Sequence, residues 1–209
     1  MLRFPILLTN DDGINSPGLQ HLASSLHSLG HPIAILAPLT EQSAVGMKLT
    51  LRDDMAFEEH TDIAEKIRTD ESVPLRAFSL DGSPCDCVIV AIDGGLRSLA
   101  PEIRPWLCIS GINRGPNLSI DVLHSGTVSA AREASLYGLP SLSVSLATYS
   151  HQDYSQSIEA TLALVERLSA LVTVEPSNIL RPEGSRTRPI EGTGPNSLRS
   201  WFMQGNMFL

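Results

Sequence analysis

Two adjacent carboxylates, Asp11 and Asp12, follow directly on the apolar run that opens "ILLTNDDGINSPG", Ile6 to Gly18. Neighbouring like charges repel, so the pair is unfavourable unless a cation, a cluster of hydrogen-bond donors or water relieves it. A divalent cation is one candidate, since both acids offer hard anionic oxygens. Further along, "APLTEQSAVG" carries Ser43, and "GINRGPN" carries Asn113 and Asn117, which would add neutral hydroxyl and amide oxygens. Such a set suits Mg²⁺ or Mn²⁺, which prefer oxygen ligands and keep exchangeable waters, and suits zinc poorly. A fourth loop, "DVLHSGTVSAA", puts Ser125, Gly126 and Thr127 where a helix should begin. Free N–H groups and hydroxyls at a helix start can hold an anion, and a metal beside them is the outline of a phosphate site.

Each feature also has a plain reading when taken alone. Asp-Asp-Gly after a strand is ordinary turn chemistry, and Ser125 with Thr127 is an ordinary helix cap. His124 could give a proton to a leaving alkoxide or simply pack at the surface. Arg114 could contact a phosphate or solvate its loop. In "DGSPCDCV", Ser83 and Pro84 resemble a capped helix start, with Asp86 as a first-turn acid that favours the helix dipole. Convergence of four loops on one place is what distinguishes the chemical reading.

Convergence requires elements that aim the loops together. Arg3 to Thr9 reads as a buried strand. A helix follows, with Ser16 placed to cap it, Pro17 in its first turn, apolar residues from Leu19 to Leu29 at helical spacing and Gly30 at its end. "IAILAP", Ile33 to Pro38, is a second strand, which completes a βαβ unit with parallel strands. From Met47 to Leu80 the pattern predicts a small β-rich insertion, with "MKLTLR" and "LRAFSL" as strands. Then come a helix from about Ser83 to Leu96, a buried strand at Trp106 to Ser110 and a helix from about Gly126 to Tyr137. A strand at Ser141 to Leu146 and a helix from about Tyr154 to Leu171 complete the series. The expected fold class is α/β: a Rossmann-like three-layer domain over 1–175 with a mostly parallel sheet. A Pro-, Gly- and Arg-rich irregular tail, atypical or truncated, covers 176–209. In such sheets ligands bind beyond the carboxyl ends of the strands where strand order switches, so three of the loops should emerge on one edge.

Composition narrows the partners. The chain has 209 residues, 42% hydrophobic, and a net charge of -8, which leaves no electrostatic footprint for a nucleic acid polymer. Its apolar runs fall short of a membrane span and its N-terminus lacks a leader pattern. Cys85, Cys87 and Cys108 form no even framework and no paired zinc spacing, so they are expected as reduced thiols in a cytoplasmic protein. No G-x-G-x-x-G opens the first helix, which disfavours a dinucleotide-binding module. A D-x-D aspartyl-phosphate nucleophile is disfavoured too, because the position two before Asp12 is Asn10.

Five motifs in order, "ILLTNDDGINSPG", "LAPLTEQSAVG", "GSPCDCV", "SGINRGPN" and "LHSGTVSAAREA", resemble the SurE family of metal-dependent nucleotidases. The resemblance spans about Leu2 to Leu146. It implies a Rossmann-like core, one divalent metal cation per subunit (Mg²⁺ or Mn²⁺) and a homo-oligomer, dimer or tetramer. It also implies hydrolysis of nucleoside monophosphate substrates, with a water positioned or activated at the metal as nucleophile. Carried over motif by motif, the metal ligands are Asp11, Asp12, Ser43 and Asn113. The phosphate side is Ser125, Gly126 and Thr127 with Asn117 close by, and Asp11, Asp12 and Asn113 are the catalytic set. Gln42 stands where the family usually has a basic residue, and the family's further strand and hairpin fade after "PSNIL". A catalytically impaired member that only binds metal and nucleotide is therefore the alternative.

Overall fold

The computed structural model describes residues 3–171, with side chains through residue 169. Strand β1, Ile6–Thr9, is wholly buried, and its alternating side chains serve two cores. Ile6 and Leu8 face one apolar cluster while Leu7 faces the other. This double burial is why the run is continuously apolar rather than alternating. Helix α1, Pro17–Ser28, returns the chain to β2, Ile33–Pro38, which pairs parallel to β1. Leu19, Leu22 and Leu26 of α1 are fully buried in the first cluster. Truncating one of them would cost about 2–5 kcal/mol. Ser16 is the N-cap residue, as its type suggests, but its side chain makes no capping hydrogen bond.

The middle of the chain differs from the β-rich insertion read from its pattern. "LRAFSL" is a strand, β4, Leu75–Leu80, but it belongs to the main sheet and pairs parallel to β2 over six residues. "MKLTLR" forms no strand: Leu49 and Leu51 are exposed and the Thr50 N–H is bonded to Asp86 instead of to a neighbouring strand. Between these lie a short edge strand, β3, Phe57–Glu59, antiparallel to β4, and a helix, α2, Thr61–Ile67.

Helix α3, Pro84–Val90, begins in a full capping box between Ser83 and Asp86. The long helix expected through Leu96 is broken after Val90 by a π-helical turn, Ala91–Gly95, before a one-turn helix, α4, Leu96–Leu99. Two glycines explain the break, because Gly94 has φ 115° and a Cβ on Gly95 would overlap the Val90 carbonyl. Strand β5, Leu107–Asn113, runs three residues beyond the expected end and pairs parallel to β1. A short helix, α5, Asp121–His124, leads into α6, Gly126–Leu136, then β6, Ser141–Ser145, and α7, Ser155–Leu171.

The six strands lie in the order β3-β4-β2-β1-β5-β6, all parallel except β3. Buried residues of α1, α2 and α7 cover one face, and those of α3, α4 and α6 the other, which makes three layers. From β1 the chain proceeds outward to β2 and β4 on one side, then crosses to β5 and β6 on the other. The switch in strand order therefore falls between β1 and β5, at whose carboxyl ends Asp11 and Asn113 stand. Among the described residues no helix is long and apolar enough to cross a membrane. The three cysteines are buried and free, and burial pushes the Cys85 and Cys108 thiols up to about 12. The expected tail over 176–209 lies outside the described residues.

Candidate metal and phosphate site

The turn after β1 is built by Asn10, whose amide donates to the Gly13 carbonyl at 3.0 Å and whose Oδ1 accepts from the Gly13 N–H at 3.2 Å. Gly13 takes φ 91°, open to glycine, and the Ile14 N–H then bonds the Pro38 carbonyl at the end of β2. Asn10 is thereby a structural staple, and the two acids beside it point away to the sheet edge. The Asp11 carbonyl accepts from the Gln42 N–H at 2.7 Å, which draws the loop carrying Ser43 against β1. The same loop is tied to α5 by the Gly46 N–H on the His124 carbonyl at 2.8 Å.

Asp11 is only 4% exposed, yet its carboxylate has donors on both oxygens. The Thr127 N–H donates to Oδ2 at 3.0 Å and the Thr127 hydroxyl donates to Oδ1. The Gly126 N–H adds a weaker pull. Asp11 thus occupies the N-terminus of α6 in the way a bound anion would, and the helix dipole favours it there. Gly126 permits the approach, since a Cβ at that position would lie 2.8 Å from the Asp11 Cβ. Burial still outweighs these donors and pushes the Asp11 carboxyl up.

Asp12 is half-buried, and the Arg114 N–H donates to its Oδ2 at 3.0 Å. Burial raises its carboxyl to about 6; the Arg114 bond pulls the other way, and the charges of Asp11 and Glu41 push further up. Asn113 stands where β5 shifts register against β6 between Ser110 and Asn113. Gly111 has φ 134° there, and a Cβ on it would overlap the Val144 carbonyl. The Asn113 Nδ2 donates to the Gly115 carbonyl at 2.8 Å, while its Oδ1 lies 3.3 Å from the Thr127 hydroxyl. Ser43 donates its hydroxyl proton to Glu41 at 2.6 Å, which leaves its lone pairs available.

Asp11, Asp12, Ser43, Asn113, Asn117 and Ser125 all line one cavity of about 460 Å³. His124 and Arg114 share it. Asn117 is held by its amide on the Ser145 hydroxyl at 2.8 Å. Ser125 caps α6 by accepting from the Val128 N–H at 3.1 Å, so its own proton remains free to donate. Gly126 and Thr127 stand apart from this set: both are buried behind Asp11, and neither lines the cavity. Gln42 faces a second cavity with Lys48 and Arg52. Asp86 is occupied by its capping box and by the Thr50 N–H and hydroxyl, which confirms a structural role.

Sequence motifs missed three of the lining residues. Glu41 orients Ser43, Asp121 adds an acid at the rim, and Tyr149 contributes a ring from the loop after β6. Glu41 and Asp121 lie within the loop motifs of Ser43 and Ser125 but are not singled out by type, whereas Tyr149 lies outside every motif and reaches the cavity only through the fold. Among the described residues no group of three or more His, Cys, Asp and Glu could hold a metal. A cation here would rest on two carboxylates and neutral oxygens, a hard and incomplete set that fits Mg²⁺ or Mn²⁺ with retained waters better than zinc.

Residues 6–193 match the model of the family described as Survival protein SurE. A relative from Syntrophotalea carbinolica, named 5′-nucleotidase SurE, is 43% identical over 166 residues, 78% of this chain and 59% of its own length. One of the same name from Desulforudis audaxviator is 44% identical, over 80% of this chain and 58% of its own length. The crystal structure of the SurE protein from Aquifex aeolicus superposes with a TM-score of 0.62 at 32% identity, covering 79% of this chain and 60% of that one. The chain therefore spans about 59% of the length of the curated relatives it matches.

Proposed function

This chain belongs to the SurE family, and on that premise we propose that it is a divalent-metal-dependent phosphatase of nucleoside monophosphates. The observation that carries the reading is the meeting of Asp11, Asp12, Ser43 and Asn113 in one cavity at the switch point of the sheet. Relatives that share these segments bear the name 5′-nucleotidase.

In this reading Asp11, Asp12, Ser43 and Asn113 hold one Mg²⁺ or Mn²⁺. That ion supplies Lewis-acid activation of the phosphate and of water and neutralises two carboxylates that burial otherwise disfavours. Asp11 is the rigid ligand, because Thr127 and Gly126 restrain it from behind. Asp12 is the more open acid, oriented by the Arg114 N–H. The Ser125 hydroxyl and the Asn117 amide donate to the phosphate oxygens and stabilise charge that grows in transfer. Gly126 and Thr127 act on the phosphate through Asp11 rather than by direct contact. His124 lines the same cavity, and in this reading it delivers the proton to the departing ribose oxygen.

The test is phosphate release from nucleoside 5′-monophosphates by the full chain with Mn²⁺ or Mg²⁺, with chelator, and by Asp12→Asn. Turnover that needs both metal and Asp12 supports the reading. A folded chain that binds Mn²⁺ and nucleotide without turnover supports the binding-only alternative. Assembly into a dimer or tetramer and residence in the cytoplasm remain part of the same proposal, to be read by light scattering and by fractionation.

A further inference from the structure

Around the phosphate end the cavity is polar, but one wall is not. Tyr149, in the loop between β6 and α7, is 73% exposed and lines the same cavity as Asp11, Asp12 and Asn117. Its ring is seated rather than loose. The Gly115 α-carbon lies so close to the ring edge that a Cβ there would overlap it, and the hydroxyl reaches the Pro116 carbonyl at 3.5 Å, the long limit of a hydrogen bond. Gly115 can serve as this seat because it has no side chain and adopts φ 112°. The Gly115 carbonyl in turn receives the Asn113 amide, so the backbone that carries the ring also orients a residue of the metal site.

A large ring anchored along its edge and open over most of its surface is a planar apolar face beside a phosphate-binding pocket. Among the described residues no Phe, Trp or second Tyr lines that cavity, and the other ring in its wall is the smaller, polar imidazole of His124. Flat heterocycles stack on such faces, with little regard for which base they are. The cavity, at about 460 Å³, has the size of a small-ligand site rather than of a bare phosphate pocket. We propose that Tyr149, seated on Gly115, is the stacking platform for the base of the substrate, and so makes the site prefer base-bearing phosphomonoesters over sugar phosphates. This rests on the phosphatase reading of the same cavity and adds the residue that selects the substrate class.

The experiment compares AMP with ribose 5-phosphate, which lacks only the base, as Mn²⁺-dependent substrates of the wild-type chain, Tyr149→Ala and Tyr149→Phe. Adenosine, which is not hydrolysed, serves as a separate binding probe followed by the ring-proton resonances of the tyrosines. The kcat/KM ratio of AMP to ribose 5-phosphate is expected to fall roughly tenfold in Tyr149→Ala, through KM for AMP, and to survive in Tyr149→Phe. Adenosine should shift a tyrosine ring signal upfield in the wild type and bind about tenfold more weakly to Tyr149→Ala. An unchanged ratio, or adenosine binding indifferent to Tyr149→Ala, overturns the platform while hydrolysis of ribose 5-phosphate leaves the phosphatase reading standing. Adenosine binding that needs Tyr149 in a chain without turnover upholds the platform and removes the hydrolytic reading.

Discussion

The Thr127 N–H donates to Oδ2 of Asp11 at 3.0 Å while its hydroxyl donates to Oδ1, so one residue at the start of α6 grips both oxygens of the acid in the turn after β1. The same hydroxyl lies 3.3 Å from Asn113 Oδ1, which brings β5 into the contact. Loss of the hydroxyl should therefore loosen two proposed metal ligands together. Thr127→Val is expected to weaken Mn²⁺ binding and turnover by about 10- to 100-fold, the usual effect of removing a group that orients a ligand. Thr127→Ser should retain most of both. Titration calorimetry with Mn²⁺ beside phosphate-release rates decides it, and an unaffected Thr127→Val would mean that the backbone N–H alone suffices.

Gly126 makes this grip possible by having no side chain. In Gly126→Ala the new Cβ would meet the Asp11 Cβ at 2.8 Å and the Pro84 ring at 3.1 Å. The start of α6 must then back away from β1. Helical content by circular dichroism should stay within error while activity falls at least tenfold, in line with the sensitivity of catalysis to displacements near 1 Å.

Asp12 supplies a pH prediction for the chelated chain. Its folded-state carboxyl sits at about 6 against an ordinary 3.8, so the folded chain holds that proton more tightly than the unfolded one. The resulting stability is full below about pH 4 and is lost as pH rises through about 6. At neutral pH the ionised group is a liability that Asp12→Asn removes. Allowing for its partial exposure to solvent, the variant should be more stable in chelator by about 1 kcal/mol, or roughly 3 °C in Tm. The gain should vanish near pH 4, and the rise in Tm on adding Mn²⁺ should shrink. Scanning calorimetry with and without Mn²⁺ at two pH values tests both halves; a destabilised variant in chelator would show that the Arg114 bond outweighs burial.

His31 carries the opposite dependence. It is fully buried, donates Nδ1–H to the Phe4 carbonyl at 3.0 Å and has its pKa lowered by burial. The neutral ring's contribution is present above the ordinary value of 6.5 and is lost as pH falls toward the lower folded value, because the unfolded chain takes up the proton first. Urea midpoints for the wild type should therefore drop as pH falls below the ordinary value of 6.5, and His31→Phe should flatten that slope. A slope shared by both proteins would assign it to other groups.

Much of the architecture was legible in the residues because buried parallel strands and amphipathic helices leave strong local patterns. The apolar runs at Ile6 and Ile33, the Ser83 capping box and the helix after Ser125 each follow from neighbours a few positions away. The Met47–Leu51 stretch alternates like a strand yet forms none, because strand formation needs a partner edge and Thr50 binds Asp86 instead. The break at Gly94 falls inside a segment whose pattern reads as one helix from Ser83 to Leu96, because the π turn depends on the close approach of Gly95 to the Val90 carbonyl.

For the site, the amino-acid order alone determined which polar loops lie at the carboxyl ends of strands, since strand direction and loop content are both local properties. The assignment of partners within those loops was decided only by the tertiary structure. Thr127 looked available to an outside anion, and the packing of β1 against α6 turns its donors onto Asp11. Glu41 meets Ser43 within its own loop, two residues away, whereas Tyr149 carries no recognisable spacing and only the fold brings it to Gly115. Hydrogen bonds between residues more than a hundred positions apart depend on strand order and register, which are settled by burying the whole sheet at once rather than by any single segment.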